Sequence, residues 1–218
     1  MAAVATYSAT IKTAGAATAF TGEAFTNVSG NIYQITATTK RRWDGDTTPT
    51  VYDGGVPIAA SGYTIEYLTG TVTLTAPPGG AVTADGEDLP MLSILLCRTL
   101  DQDRTCVLHD VTTFDSAGNT TRLPGIFDAS GSFEILDILT TDLDAGAGTV
   151  KLDTILTGRT SVYLEIGMGG TSFDVYRAVL SQAASAGAVD SVKSNTITWS
   201  LDAYAAADGT IVGFVVGT

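Results

Sequence analysis

Along most of the chain, apolar and polar residues alternate with a period of two, and Gly, Pro, Asn and Asp clusters break the alternation at short intervals. A strand turns successive side chains to opposite faces, so this pattern calls for half-buried strands joined by tight turns. Tyr63-Thr-Ile-Glu-Tyr-Leu68, then Thr69-Gly70, then Thr71-Val-Thr-Leu-Thr75 spells a β-hairpin. Pro49–Tyr52 and Val56–Ile58 bracket an Asp53-Gly54-Gly55 turn. Pro77-Pro78-Gly79-Gly80 is a breaker before a short strand near Ala81–Ala84. Asn31 to Asp88 thus holds enough strands for a small β module of its own, with a boundary near Glu87–Pro90.

The second half opens on Met91–Cys97, apolar enough for burial on both faces, followed by a strand at Thr105–Thr113 and a polar loop at Asp115–Thr121. Phe127–Ile138 reads as a strand with Phe133 and Ile135 on one face and Asp128, Ser130, Ser132 and Glu134 on the other. Val162–Ile166, Phe173–Leu180, Thr196–Leu201 and Ile211–Val216 complete the set. Val150–Leu156 has helical spacing, and Gly158 stands where a left-handed C-cap belongs. The expected class is all-β, a sandwich or barrel with one flanking α-helix and an additional small β module. The expected division is 31–88 as the insertion and 1–30 with 89–218 as the main unit.

With 218 residues, 44% of them hydrophobic, the chain can bury a core without staples. Only 16% are charged, against a usual share of about a quarter, which suits a surface that meets other subunits. Eleven basic residues face 23 acidic ones, a net charge of −12. Gripping nucleic acid takes an excess of Lys and Arg to displace phosphate counterions, so a DNA-binding role is excluded. The start, Met1-Ala2-Ala3-Val4-Ala5-Thr6, lacks the basic and apolar regions of a signal peptide. No apolar run reaches the ~18 residues of a membrane helix, so residence in a cytoplasm is expected. There Cys97 and Cys106 should stay reduced and half-buried, facing each other if Asp101-Gln102 forms a tight turn.

No catalytic pattern emerges. The single histidine, His109, is followed by Asp110, and adjacent strand residues point to opposite faces. No Gly-x-Ser-x-Gly elbow marks a nucleophile. Asp44-Gly-Asp46, Asp101-Gln-Asp103 and Asp142-Leu-Asp144 lack the remainder of a calcium loop and read as turn carboxylates. Nothing in the spacing favours Glu23 with Glu134 as a glycosidase pair. Gly167-Met-Gly-Gly170 lacks the Lys-Ser/Thr of a phosphate loop and reads as a hairpin turn. Lys40-Arg-Arg42, before Trp43, is the one basic run; it reads as a solvated turn of helix, with contact to a phosphate or to a neighbouring acidic subunit as the alternative. Catalytic residues, metal ligands and cofactors are therefore all expected to be none.

Several segments in order resemble the major tail tube proteins of long-tailed, siphovirus-like bacteriophages. His109-Asp-Val-Thr-Thr-Phe114, a polar loop, Arg122-Leu-Pro-Gly125 and Asp128-Ala-Ser-Gly-Ser-Phe133 are similar to the family's central hairpin. Val162–Ile166 before a Gly-rich turn, and Thr196-Ile-Thr-Trp-Ser-Leu201, are similar to its later strands. Thr21–Asn27, Tyr33–Ile35, Lys40–Asp44 and Val51–Val56 look like a variant with an added module, expected on the tube exterior. The resemblance implies a non-enzymatic virion protein, assembled in the host cytoplasm, whose six-membered rings stack into a conduit for DNA ejection. It implies as partners other copies of itself, a tape measure protein, and tail terminator and distal tail proteins. DNA would pass through without sequence-specific binding, and no membrane is involved. The loop Phe114–Gly125, with Phe114, Asp115, Asn119, Arg122, Pro124 and Gly125, would reach the next ring. Asp128, Glu134 and Glu165 would face the lumen. Two alternatives stand beside it: a head–tail completion or head decoration protein, and a carbohydrate-binding β-sandwich module using Trp43, Tyr52, Tyr63 and Tyr67 as a platform.

Overall fold

A computed structural model of the chain describes residues 10–94, 97–110, 122–137, 161–167, 173–186 and 193–215. Among them the regular structure is all β, apart from two single 3-10 turns at Thr38–Lys40 and Ala60–Gly62. In chain order the strands are β1 (Thr10–Ala14), β2 (Thr18–Ser29), β3 (Ile32–Ile35), β4 (Thr50–Asp53), β5 (Val56–Pro57), β6 (Tyr63–Glu66), β7 (Thr71–Leu74) and β8 (Val82–Asp88). There follow β9 (Met91–Ile94), β10 (Cys97–Asp110), β11 (Arg122–Asp137), β12 (Ser161–Gly167), β13 (Asp174–Ala186), β14 (Lys193–Leu201), β15 (Tyr204–Ala205), β16 (Ile211–Val212) and β17 (Phe214–Val215). The helix expected at Val150–Leu156 lies outside the described residues.

The larger sheet runs β10-β11-β14-β13-β12-β1-β9, with β17 also on β13. Every pairing in it is antiparallel, so six steps from β10 to β9 bring the two end strands to the same direction. A flat sheet of that order would set them about 29 Å apart. Only two residues separate Ile94 from Cys97, a reach of about 10 Å. The sheet must therefore curl until its ends nearly meet. Side chains agree: Gln102 Nε2 of β10 lies 3.4 Å from Asp174 Oδ2 of β13, three places along the order. Inside the curl lie Ile11, Phe133, Leu164, Ile166, Tyr176 and Trp199, each almost fully buried.

The second sheet, β5-β4-β8-β2-β3-β7-β6, is built from residues 18–88. It takes in β2, which the sequence reading left with the main unit, because β2 pairs with β8 over its first half and β3 over its second. The expected Asp53-Gly54-Gly55 turn forms, and Gly54 (φ 58°) and Gly55 (φ 84°) adopt left-handed values that a side chain would oppose. Trp43 is fully buried at the centre, with Phe20 and Phe25 rings 5.8 and 5.9 Å away.

The module leaves and rejoins the larger sheet at one point. Ala14 of β1 pairs with Met91 of β9, and Gly15 N–H donates to Pro90 O at 2.8 Å. It packs on the outward faces of β12 and β13, where Tyr163 and Val175 join its core. Strand β12 is thus buried on both sides, Val162, Leu164 and Ile166 inward and Tyr163 and Glu165 toward the module.

The tight turn considered at Asp101-Gln102 does not form. Both residues lie mid-strand in β10, opposite Ser132 and Gly131. Cys97 and Cys106 are then nine residues apart on one strand, about 30 Å, far beyond disulfide reach. Cys106 is exposed rather than half-buried.

Candidate functional site

Directly opposed residues of an antiparallel pair share a face. Along β10 and β11, Leu100 opposes Phe133, Gln102 opposes Gly131 and Arg104 opposes Ala129 on the inward face. On the outward face Thr99 opposes Glu134, Asp101 opposes Ser132, Asp103 opposes Ser130 and Thr105 opposes Asp128. Strand β14 continues that face, placing Thr196, Thr198 and Ser200 beside Glu134, Ser132 and Ser130. The outcome is a surface of hydroxyls and four carboxylates with no lysine or arginine over this registered stretch. Asp101, Asp103, Asp128 and Thr196 are exposed, and Glu134 is half-buried.

Asp128 and Glu134, expected together from alternation, do share this face. Asp101 and Asp103 also belong to it, and sequence reading missed them by treating their polar run as a turn. Glu165 does not share it. It is 5% exposed, on the module side of β12, with Oε1 2.7 Å from Lys12 Nζ and Oε2 3.2 Å from Arg42 Nη2. A carboxylate so enclosed between two cations is not a free surface group, which corrects its expected lumen exposure.

Arg42 corrects a second expectation. Rather than lying in a solvated turn, it is 7% exposed and also donates from Nη1 to Leu68 O at 2.7 Å. Burial lowers its pKa, Glu165 pulls it back up, and neighbouring Arg41 adds to the lowering. The Arg42–Glu165–Lys12 chain thereby fastens the module to β12 and β1. A cleft of about 690 Å³ opens beside it.

Phe114, Asp115 and Asn119 of the expected inter-ring loop lie outside the described residues. Arg122, Pro124 and Gly125 belong to β11 itself, Arg122 opposite Asp110 and Pro124 opposite Leu108. His109 stands in β10 opposite Leu123. Of the acidic pairs, Asp44–Asp46 is a turn, with Asp46 N–H donating to Asp44 Oδ1 at 3.0 Å. Among the described residues, no three His, Cys, Asp or Glu side chains gather in a metal-holding group, and no helix is long and apolar enough to cross a membrane. The aromatic platform is overturned: Trp43 and Tyr67 are fully buried, Tyr63 is 9% exposed, and Tyr52 donates its hydroxyl to Asp85 Oδ2.

Strand β10 is the other notable feature. It has 14 residues, forms the end of the sheet, and among the described residues pairs with β11 alone. Asp101, Asp103, Arg104, Thr105 and Cys106 are all exposed, so side chains on both faces meet solvent here, and no strand among the described residues pairs with the second backbone edge.

No protein family matches the sequence, and no curated protein does. Solved structures similar to it include a chain in the tail of an empty GTA particle, obtained by helical refinement with C6 symmetry. That chain is 16% identical, with a TM-score of 0.42, and the match covers 57% of this chain and 86% of that one.

Proposed function

We propose that this chain is a structural tail protein, the subunit of a phage-type tail tube, whose copies close into six-membered rings that stack around a bore for DNA. The observation that carries the reading is the outward face of β10, β11 and β14. A wall that lets DNA slide must avoid cations, because each Lys or Arg that meets a phosphate releases counterions and holds the strand. Hydroxyls keep such a wall wet, and carboxylates repel phosphate within a Debye length, about 8 Å at physiological salt. Asp101, Asp103, Asp128 and Glu134 meet both requirements.

Two further features support the reading. The edge of β10 that pairs with no strand among the described residues suits strand addition by a second copy, which would cover that edge. The module covers the outward faces of β12 and β13, and on a curled sheet these look away from the carboxylate face. With that face on the bore, the module sits on the tube exterior. Copies of itself, a tape measure protein, and terminator and distal tail proteins are the partners this role requires; DNA is a passing cargo.

Negative-stain microscopy of the purified chain over rising concentration tests this. Open-ended tubes with six-fold end views are expected. Discrete rings that never stack would move the protein to a head–tail completion role, and monomers at every concentration would overturn self-assembly. In assembled tubes, Asp101→Lys with Asp103→Lys and Asp128→Lys should retain short duplex DNA that wild-type tubes release.

A further inference from the structure

The cleft of about 690 Å³ lies where Gln34 of β3 and the Thr38–Lys40 turn approach Lys12, Glu165 and Phe173. Among the described residues, Lys12, Arg41 and Arg42 line it against a single carboxylate, Glu165, an excess of two positive charges in a chain of net charge −12. Glu165 is fully engaged, one oxygen to Lys12 and the other to Arg42. Lys12 Nζ also stands 4.2 Å from the centre of the Phe173 ring, which fixes the ammonium at the cleft wall. Arg41 Nε is buried with no hydrogen-bond partner among the described residues. An oxyanion in the cleft would meet Arg41 as a charge-assisted donor. The segments that continue from the cleft walls, residues 1–9 and 168–172, contain no Asp or Glu.

We infer that this cleft is an anion seat, and that its occupant is a carboxylate-bearing surface of a second copy of the chain. The inference rests on the self-assembly reading above. Copies that each carry −12 repel one another overall, so a local cationic cleft is a place where an acidic surface can attract. Such a seat joins unlike patches on two copies, a heterologous contact that propagates rather than closing as a dimer.

Sedimentation velocity on the full chain tests the seat, comparing wild type with Arg41→Glu, Arg41→Lys and Thr39→Glu. Circular dichroism melts check that each is folded. Arg41→Glu and Thr39→Glu should each raise the half-assembly concentration about tenfold, while Arg41→Lys stays near wild type. Inorganic phosphate should weaken wild-type association more than sodium chloride at equal ionic strength. If both glutamate variants assemble like wild type, the occupant is wrong while the tube reading stands. Phosphate binding that depends on Arg41 with unchanged association would make this a seat for free phosphate and overturn the second copy. A wild type that never associates overturns the tube reading and this occupant together.

Discussion

Glu165 shows how a strand's alternation can be read correctly and its consequence missed. Its position opposite to Leu164 and Ile166 follows from the sequence, but the module on that side covers it and supplies Arg42. Removing one member of a buried pair strands the other's charge, so Glu165→Gln should cost about 3 kcal/mol. Urea unfolding with an unchanged m-value would measure it; a loss below a few tenths would place the pair in effective solvent. Asp88 is 5% exposed, and burial raises its pKa; Lys40 partly opposes this and Glu23 adds to it. The native state then holds a proton that the unfolded chain has released, so stability falls as pH climbs from about 4 through the native value. Glu66, likewise raised by burial, adds to the same slope. Asp88→Asn should flatten the melting temperature over that range, and a profile parallel to wild type would remove Asp88 from the account. None of these burials was legible locally. Arg42 follows Lys40 and Arg41 like any solvated run, and only a distant strand explains why it is inside.

At the level of elements, the short turns and hairpins of the module were readable because Gly, Pro and alternation act within a few residues. The β4–β5 and β6–β7 pairs formed as expected, with β6 and β7 joined through Tyr67–Gly70. Strand β10 was less legible, since an edge strand with polar residues on an open face carries little apolar signal. Asp101-Gln102-Asp103 therefore resembled a turn. The sheet that β2 joins was not legible for another reason: its partners β8 and β3 are fixed by register, which composition does not encode. Gly131 of β11 matters here. A Cβ on it would lie 2.3 Å from Asp101 O and 2.9 Å from the Trp199 ring. Gly131→Ala should lose about 1–3 kcal/mol through forced repacking. A drop in urea midpoint that Gly131→Ala shares with no exposed alanine substitution, such as Ser130→Ala, would identify this close approach as the cause.

For the molecule as a whole, the all-β class followed from pattern, whereas the curl followed only from knowing which strands neighbour which. The two-residue link between β9 and β10 is visible in retrospect, but its meaning depends on their lying at opposite ends of the sheet order. The exposed Cys106 on β10 offers a whole-molecule readout. A maleimide dye should label it in the unassembled protein and label it at least about tenfold more slowly once copies add to that edge, if opening of the joined strands limits access. Equal rates in both states would mean that β10 stays uncovered and that assembly uses another surface.

The meeting of the module's two ends has a consequence for how such a chain can change. Because Ala14 and Met91 already face each other, the backbone between them can be exchanged for a different fold, or for a tight loop, without shifting a strand of the larger sheet. What a replacement must reproduce is the cover over Tyr163 and Val175 and a countercharge for Glu165. The site acts as a socket, so cargo could be displayed there while the sheet keeps its own architecture.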